Sequence, residues 1–397
     1  MLFVDATNTL QWGPNPPTGI PRVEASLVRE VLTRHADKTA LFTFDPTLRR
    51  CRALNVGEKR FVGEWLAFDR VVQLETANRA SWLTRVRNES RVYRYNAICC
   101  GRESHRAIAQ YLSASPERSG FAYESTRLLV RLCFAGLRAG YGLARTVSRE
   151  VEADPLQDDR NSCLLSINTC SLIQKYYRPE HLRASLSLLI YDTIPLDYPD
   201  LAARGHAARF SKYFKFGVAQ ARQLICISEA TRQSVIKWCR DDLDARVKAD
   251  KARVIQIASA LADDGSATSP VEDLVGKSFV LYCATIEPRK NHLLLLRVWA
   301  GMLSRRSEVP LLVFVGRWGW RTEAVRKQIA DDRRLATVVK VYPSLSDDRL
   351  RWLYSKTLFC VFPSIAEGWG LGASEALDFG APVVVSDIPP LREATQA

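Results

Sequence analysis

No apolar run of about 18 residues occurs in the 397-residue sequence, so no segment reads as a membrane-spanning helix. The opening residues MLFVDATNTL lack the basic region and small-residue cleavage site of a secretory leader, and the expected location is cytoplasmic. The ten cysteines contain no CxxC pair and no ligand spacing with the five histidines. Cys226, Cys283 and Cys360 sit in apolar, strand-like runs. Reduced, buried thiols are therefore expected, with no metal site and no disulfide framework. Zinc-finger, KH-loop and aromatic RNP signatures are also missing, which sets nucleic acid aside as a partner.

What the sequence has in excess is positive charge, formally +13. An anionic partner follows, either a diphosphate-bearing substrate or an acidic lipid surface. The length exceeds what one hydrophobic core comfortably fills, so two domains are expected.

From residue 277 onward, short apolar runs alternate with amphipathic stretches, the pattern of a parallel sheet covered by helices. Strands are expected at 278–284, 311–316, 337–342, 358–363 and 382–387, with helices at 293–304 and 347–355, the latter capped by Ser346. The first half reads similarly, with strands at 2–5, 40–44, 164–168, 186–192 and 224–228. The class is α/β, two doubly wound Rossmann-like domains at 1–262 and 263–397, with 257–270 as a small-residue linker. Ligand is expected between them, near the carboxyl ends of the strands.

The segment 125–149 carries no acidic residue and aligns Arg127, Arg131, Arg138, Arg145 and Arg149 on one helical face. A basic insert lying in a membrane interface and a surface helix packed on the core both account for this pattern.

Two motifs carry chemistry. Residues 366–377 read AEGWGLGASEAL after an apolar strand. Gly368, Gly370 and Gly372 permit tight turns and close backbone approach, so amides at a helix start can meet phosphate or sugar hydroxyls. Glu367 on the loop and Glu375 in the helix suit bidentate bonds to vicinal hydroxyls. Trp369, inside the glycine run, is placed for ligand contact, whereas Trp318 and Trp320 fit core packing equally well. The second motif, ATIEPRKNH at 284–292, follows a strand and leaves Arg289 and Lys290 at the sheet's carboxyl edge. Two cations there can neutralise a diphosphate leaving group.

IEPRKN, LSDDRLRWLYS and FPSIAEGWGLGASEAL followed by PVVVSDIPPLRE resemble glycosyltransferase family four, glycosyl transferases group 1, and in particular its bacterial mannosyltransferase-like members. TGIPRVE at 18–24, YDTIPLDYP at 191–199 and ISEATRQSV at 227–235 add to the likeness. The resemblance implies the GT-B fold and a retaining, metal-independent hexosyltransferase without a cofactor. It would move mannose from a nucleotide diphosphate sugar, GDP-mannose, to a glycan or lipid-linked acceptor in lipopolysaccharide or other surface-polysaccharide assembly. The net charge and the basic segment 125–149 add an expectation of peripheral attachment at the inner, anionic face of the cytoplasmic membrane. Asp192 and Glu367 would be catalytic. Gly19, Arg289, Lys290, Gly368, Trp369, Gly370, Leu371 and Glu375 would bind the donor.

Three departures stand out. Gly372 replaces the family's proline and is expected to loosen the helix start. Tyr191 replaces a histidine before Asp192, leaving His105 and His206 as stand-ins. The family's last strand and helices are expected beyond Ala397, so the C-terminal domain reads as truncated. The alternative reading is a catalytically inactive or truncated nucleotide-sugar binding protein.

Overall fold

The computed structural model describes residues 1–7, 9, 20–35, 37–45, 50–54, 58, 59, 62, 162–167, 177, 185–243, 251–259, 261, 268–306 and 308–396. Gly19, His105 and the basic segment 125–149 lie outside the described residues.

Twelve described strands form two sheets. The first contains β1 (Leu2–Asp5), β2 (Thr39–Asp45), β3 (Arg50–Ala53), β4 (Cys163–Ser166), β5 (Ser185–Ile190), β6 (Gln223–Cys226) and β7 (Ala252–Val254), in the order β3-β2-β1-β4-β5-β6-β7. β1 pairs in parallel with β2 and β4, while β3 joins β2 antiparallel. The second contains β8 (Phe279–Cys283), β9 (Leu311–Val315), β10 (Val339–Tyr342), β11 (Cys360–Phe362) and β12 (Val383–Val385). Its order is β10-β9-β8-β11-β12, every pairing parallel.

The described α-helices are α1 (Ile20–Arg34), α2 (Ile194–Asp197), α3 (His206–Gln220), α4 (Glu229–Leu243), α5 (His292–Leu303), α6 (Glu323–Asp331), α7 (Arg333–Val338), α8 (Asp347–Lys356), α9 (Leu371–Asp378) and α10 (Pro389–Thr395). In the second sheet the winding direction reverses between β8 and β11, and in such sheets ligands bind at the carboxyl edge beside that reversal.

All ten expected strands are found. β3 and β7 are additions: β3 carries two arginines at a sheet edge, and β7 has only three residues. Strands β8, β9 and β11 are unbroken apolar runs because helices cover both faces of a parallel sheet, and Val280, Leu281, Tyr282, Leu312, Val313 and Phe314 are fully buried. Ser346 does stand at the N-cap of α8, but its side chain makes no capping bond. Cys226, Cys239 and Cys360 are buried free thiols. Burial pushes the Cys226 and Cys360 thiols up to about 12, which keeps them protonated and unreactive.

Contacts group the chain into two compact units, Met1–Leu189 with Ala219–Gln223, and Ile190–Val218 with Leu224–Ala397. This differs from the boundary expected at 262/263, because helices upstream of it belong to the second unit. There α4 packs on α10, and the Trp320 indole donates to the Leu201 carbonyl at 3.1 Å. Among the described residues no helix is long and apolar enough to cross a membrane.

Candidate active site

The site grows from two loops on neighbouring strands. After β8 the chain runs to Glu287, makes a 3-10 turn at Pro288–Lys290, and enters α5 through Asn291, whose φ of 57° is left-handed. After β11 it passes Ser364 to Gly368 and enters α9 through Gly370, at φ 114°. The Ile365 amide donates to the Arg289 carbonyl at 2.8 Å, and the Tyr282 hydroxyl donates to the Lys290 carbonyl at 2.7 Å. The two loops are thus fixed to each other through the backbone.

Their side chains form one ionic cluster. Arg289 Nη1 donates to Glu367 Oε2 at 2.7 Å and to the Ala366 carbonyl at 2.8 Å, while its Nε donates to Glu287 Oε1 at 2.9 Å. Lys290 Nζ donates to the other Glu367 oxygen. Burial by itself would raise the Glu367 carboxyl. The charges of Lys290 and Arg289, with hydrogen bonds from Lys290 and Ser364, outweigh it and hold the group at about 2. Glu287, 7% exposed, is shifted the other way, since burial prevails there over Arg289 and Lys290.

Asp192 belongs to the same unit as the ionic cluster and accepts from the Ile194 amide at 3.0 Å. Burial raises its carboxyl against the pull of Arg289. Gly368 lies against this segment: a Cβ there would stand 2.0 Å from the Tyr191 carbonyl oxygen and 3.1 Å from Asp192 Cβ. Asp192, Arg289, Lys290, Glu367 and Gly368 are therefore gathered in one place. Glu375 is buried in α9, where it accepts from the Tyr354 hydroxyl at 3.3 Å.

Trp369, read from sequence as placed for ligand contact, is only 8% exposed. A Cβ at Gly372 would meet the Phe362 ring at 2.8 Å and the Cys283 carbonyl at 3.1 Å, so the glycine's bareness lets α9 seat closely on the sheet. Tyr191 is buried, Trp318 lies beneath the Arg326 guanidinium at 3.8 Å, and His206 opens α3 beside Phe210. Glu287, Tyr282 and Ser364 were not singled out by sequence. For Glu287 a signal was present, an acid two residues before Arg289 inside the motif itself.

Beneath Lys290, His292 is 1% exposed, with ring centroids 4.6 Å from Tyr282 and 4.8 Å from Phe314. Among the described residues neither ring nitrogen has a hydrogen-bond partner. Burial, helped by Lys290, holds its pKa down at about 3 against the ordinary 6.5. Since the unfolded chain takes up the proton first, the contribution of this residue to stability is full above pH 6.5 and is lost as pH falls toward 3. His292→Leu is expected to recover about 1.4 kcal/mol per pH unit of acidification over that window, read by urea unfolding. Parallel acid profiles for variant and wild type would refute this.

Among the described residues no group of three His, Cys, Asp or Glu side chains is placed to hold a metal ion. The anion-facing chemistry of the site resides in Arg289, Lys290 and the amides entering α9.

The family model for glycosyl transferases group 1 matches residues 269–397. The serotype-specific mannosyltransferase WbdA of Escherichia coli is 25% identical over 232 residues, which cover 52% of this chain and 26% of that protein. The O-antigen chain mannosyltransferase B of Escherichia coli is 24% identical over 227 residues, 55% of this chain and 57% of that protein. The chain thus spans well under two thirds of either relative's length. The crystal structure of Anabaena Alr3699/HepE in complex with UDP matches with a TM-score of 0.51 at 13% identity, over 100% of this chain and 82% of that one. That match carries the GT-B fold, and within it residues 269–397 are similar to the glycosyl transferases group 1.

Proposed function

We propose that this chain is a retaining, metal-independent hexosyltransferase that moves mannose from GDP-mannose onto a glycan or lipid-linked acceptor in surface-polysaccharide assembly, at the inner face of the cytoplasmic membrane. The observation that carries the reading is the Arg289–Glu367–Lys290 cluster at the carboxyl edge of β8 and β11, where the sheet reverses. Two cations held by one carboxylate form a site that a diphosphate can enter by exchanging partners. Glu367 then grips the donor sugar and Glu375 the ribose, while Gly368, Trp369, Gly370 and Leu371 shape the loop over the phosphates. Gly19 is assigned to the phosphates as well.

As the glycosidic bond breaks, negative charge grows on the leaving phosphate, and Arg289 and Lys290 stabilise it in place. The departing oxygen takes the acceptor's proton. Asp192 faces the anomeric carbon, which develops positive charge. The relatives' printed names favour mannose, and the net charge of +13 favours an anionic surface.

The experiment is thermal unfolding in the presence of GDP-mannose and other nucleotide diphosphate sugars. A true donor at 100 times its Kd is expected to add about 2.7 kcal/mol of stability. Glu375→Ala is expected to weaken that donor about 10- to 100-fold, the loss of a charged hydrogen bond. Equal affinity in this variant would contradict the ribose assignment. The buried Tyr191, standing where the resemblance places histidine, favours a second reading, nucleotide-sugar binding without turnover. Donor binding without release of nucleoside diphosphate, in a chain extended beyond residue 397, would select it.

A further inference from the structure

Two hydroxyls outside both chemical motifs converge on the loop that carries Glu367. Ser228, fully buried between β6 and α4, places its Oγ 2.6 Å from the Gly368 carbonyl oxygen. Thr231, 4% exposed in the first turn of α4, places Oγ1 3.2 Å from the same oxygen and 3.3 Å from the Tyr191 carbonyl. The Thr231 amide donates to Ser228 Oγ at 2.9 Å, and the Ser228 hydroxyl has two acceptors, Thr231 Oγ1 at 2.9 Å and the nearer Gly368 carbonyl. The start of α4 is itself anchored, because the Glu393 carboxylate accepts from the amides of Glu229 at 2.8 Å and Ala230 at 3.2 Å.

Each carbonyl in this arrangement borders a residue of the proposed chemistry. Gly368 follows Glu367, and Tyr191 precedes Asp192. The glycine's missing side chain brings the two backbones into contact.

We propose that Ser228 and Thr231 form a two-hydroxyl clasp on the Gly368 carbonyl that sets Glu367 against Asp192, making both hydroxyl residues positioning residues for sugar transfer. The inference rests on the site reading given above. Neither hydroxyl touches the ionic cluster, so the clasp acts through the backbone alone. A buried carbonyl accepting two hydroxyls has little freedom to shift, and a displacement of about 1 Å in a reacting group costs about 100-fold in rate.

The test uses the full chain with shape-preserving changes, Thr231→Val and Ser228→Cys, beside Thr231→Ser, which keeps the hydroxyl. Two readouts are taken. One is release of GDP from GDP-mannose, resolved into kcat and KM. The other is a 13C NMR titration of the Glu367 and Asp192 carboxylates, which needs no substrate.

The clasp predicts a fall in kcat of about 10- to 100-fold at little changed KM in Thr231→Val and Ser228→Cys, with near wild-type turnover in Thr231→Ser. It also predicts that Glu367 titrates about one pH unit higher in the first two variants, as its cations relax away. An unmoved Glu367 titration in the Val and Cys variants would overturn the clasp, as would a loss of thermal stability with unchanged kcat and titration. Glu367→Ala, run in parallel, separates the two levels. Undiminished turnover there removes the site reading, and the titration still decides the clasp.

Discussion

Replacing Glu367 by alanine is expected to destabilise the second unit by about 3–5 kcal/mol and to slow sugar transfer at least about 100-fold. The first effect arises because Arg289 and Lys290, with side chains only 20% and 16% exposed, would lose the carboxylate that offsets their burial. Glu287 remains for Arg289, whereas the lysine bond goes entirely to Glu367. The pH signature has a definite sign. The folded value of about 2 lies below the ordinary 4.5, so this stabilisation is complete above pH 4.5 and disappears as pH falls through 2. Urea unfolding between neutral pH and pH 2 should therefore show wild type and variant converging in acid. Curves that stay parallel would remove the ion cluster from the account.

Glu367→Gln separates structure from chemistry. It keeps the shape and abolishes the charge, which frees both cations for an incoming diphosphate. Free GDP is expected to bind this variant more tightly than wild type, while turnover of GDP-mannose falls. Weaker GDP binding would mean that the cations do not face the diphosphate.

The second large effect is expected from Gly368→Ala. The added methyl carbon would stand 2.0 Å from the Tyr191 carbonyl oxygen, a backbone atom that cannot swing aside as the end of a side chain would. Overpacking of this kind costs about 1–3 kcal/mol or more, and the strain falls between Asp192 and Glu367. A drop in thermal midpoint together with a loss of turnover of about 100-fold is the expected outcome. Gly301→Ala is the control, since a Cβ at Gly301, likewise outside the positive-φ region, would meet nothing within 4 Å. If Gly368→Ala behaves no worse than that control, the close approach is not a constraint.

The second sheet was legible because parallel strands covered on both faces must be continuously apolar, as in LLVFV at β9. Strand ends were harder. Residues 337 and 338, read as the start of a strand, close α7 instead, because Asp332 accepts the Arg334 and Leu335 amides and pulls the segment into a capped turn. β3 escaped notice because its four residues, RCRA, alternate only small apolar side chains with arginine, a weak strand signal.

At the site, glycine spacing and the two basic residues could be read along the chain, since each acts through its own loop. Their pairing with Glu367 could not, because it depends on β8 and β11 being neighbours in space. Ser228 and Thr231 were invisible for the same reason: a serine and a threonine at a helix start ordinarily serve as caps. The contact grouping differs from the expected linker position because α4 precedes that linker in sequence yet packs against α10.

The adjacency of β8 and β11 has a consequence for redesign. Between α5 and β11 the chain comes back to the site after β9, where the Ile286 amide donates to the Arg317 carbonyl at 3.0 Å and the charge of Glu287 acts on Arg317. Lengthening the connection between α5 and β9 should nonetheless leave the spacing of Arg289 from Glu367 unaltered, because that spacing is set by the gap between two hydrogen-bonded strands and not by the chain joining them. That connection tolerates added length, while a single residue inserted at 363–366 would slide the carboxylate off its cations.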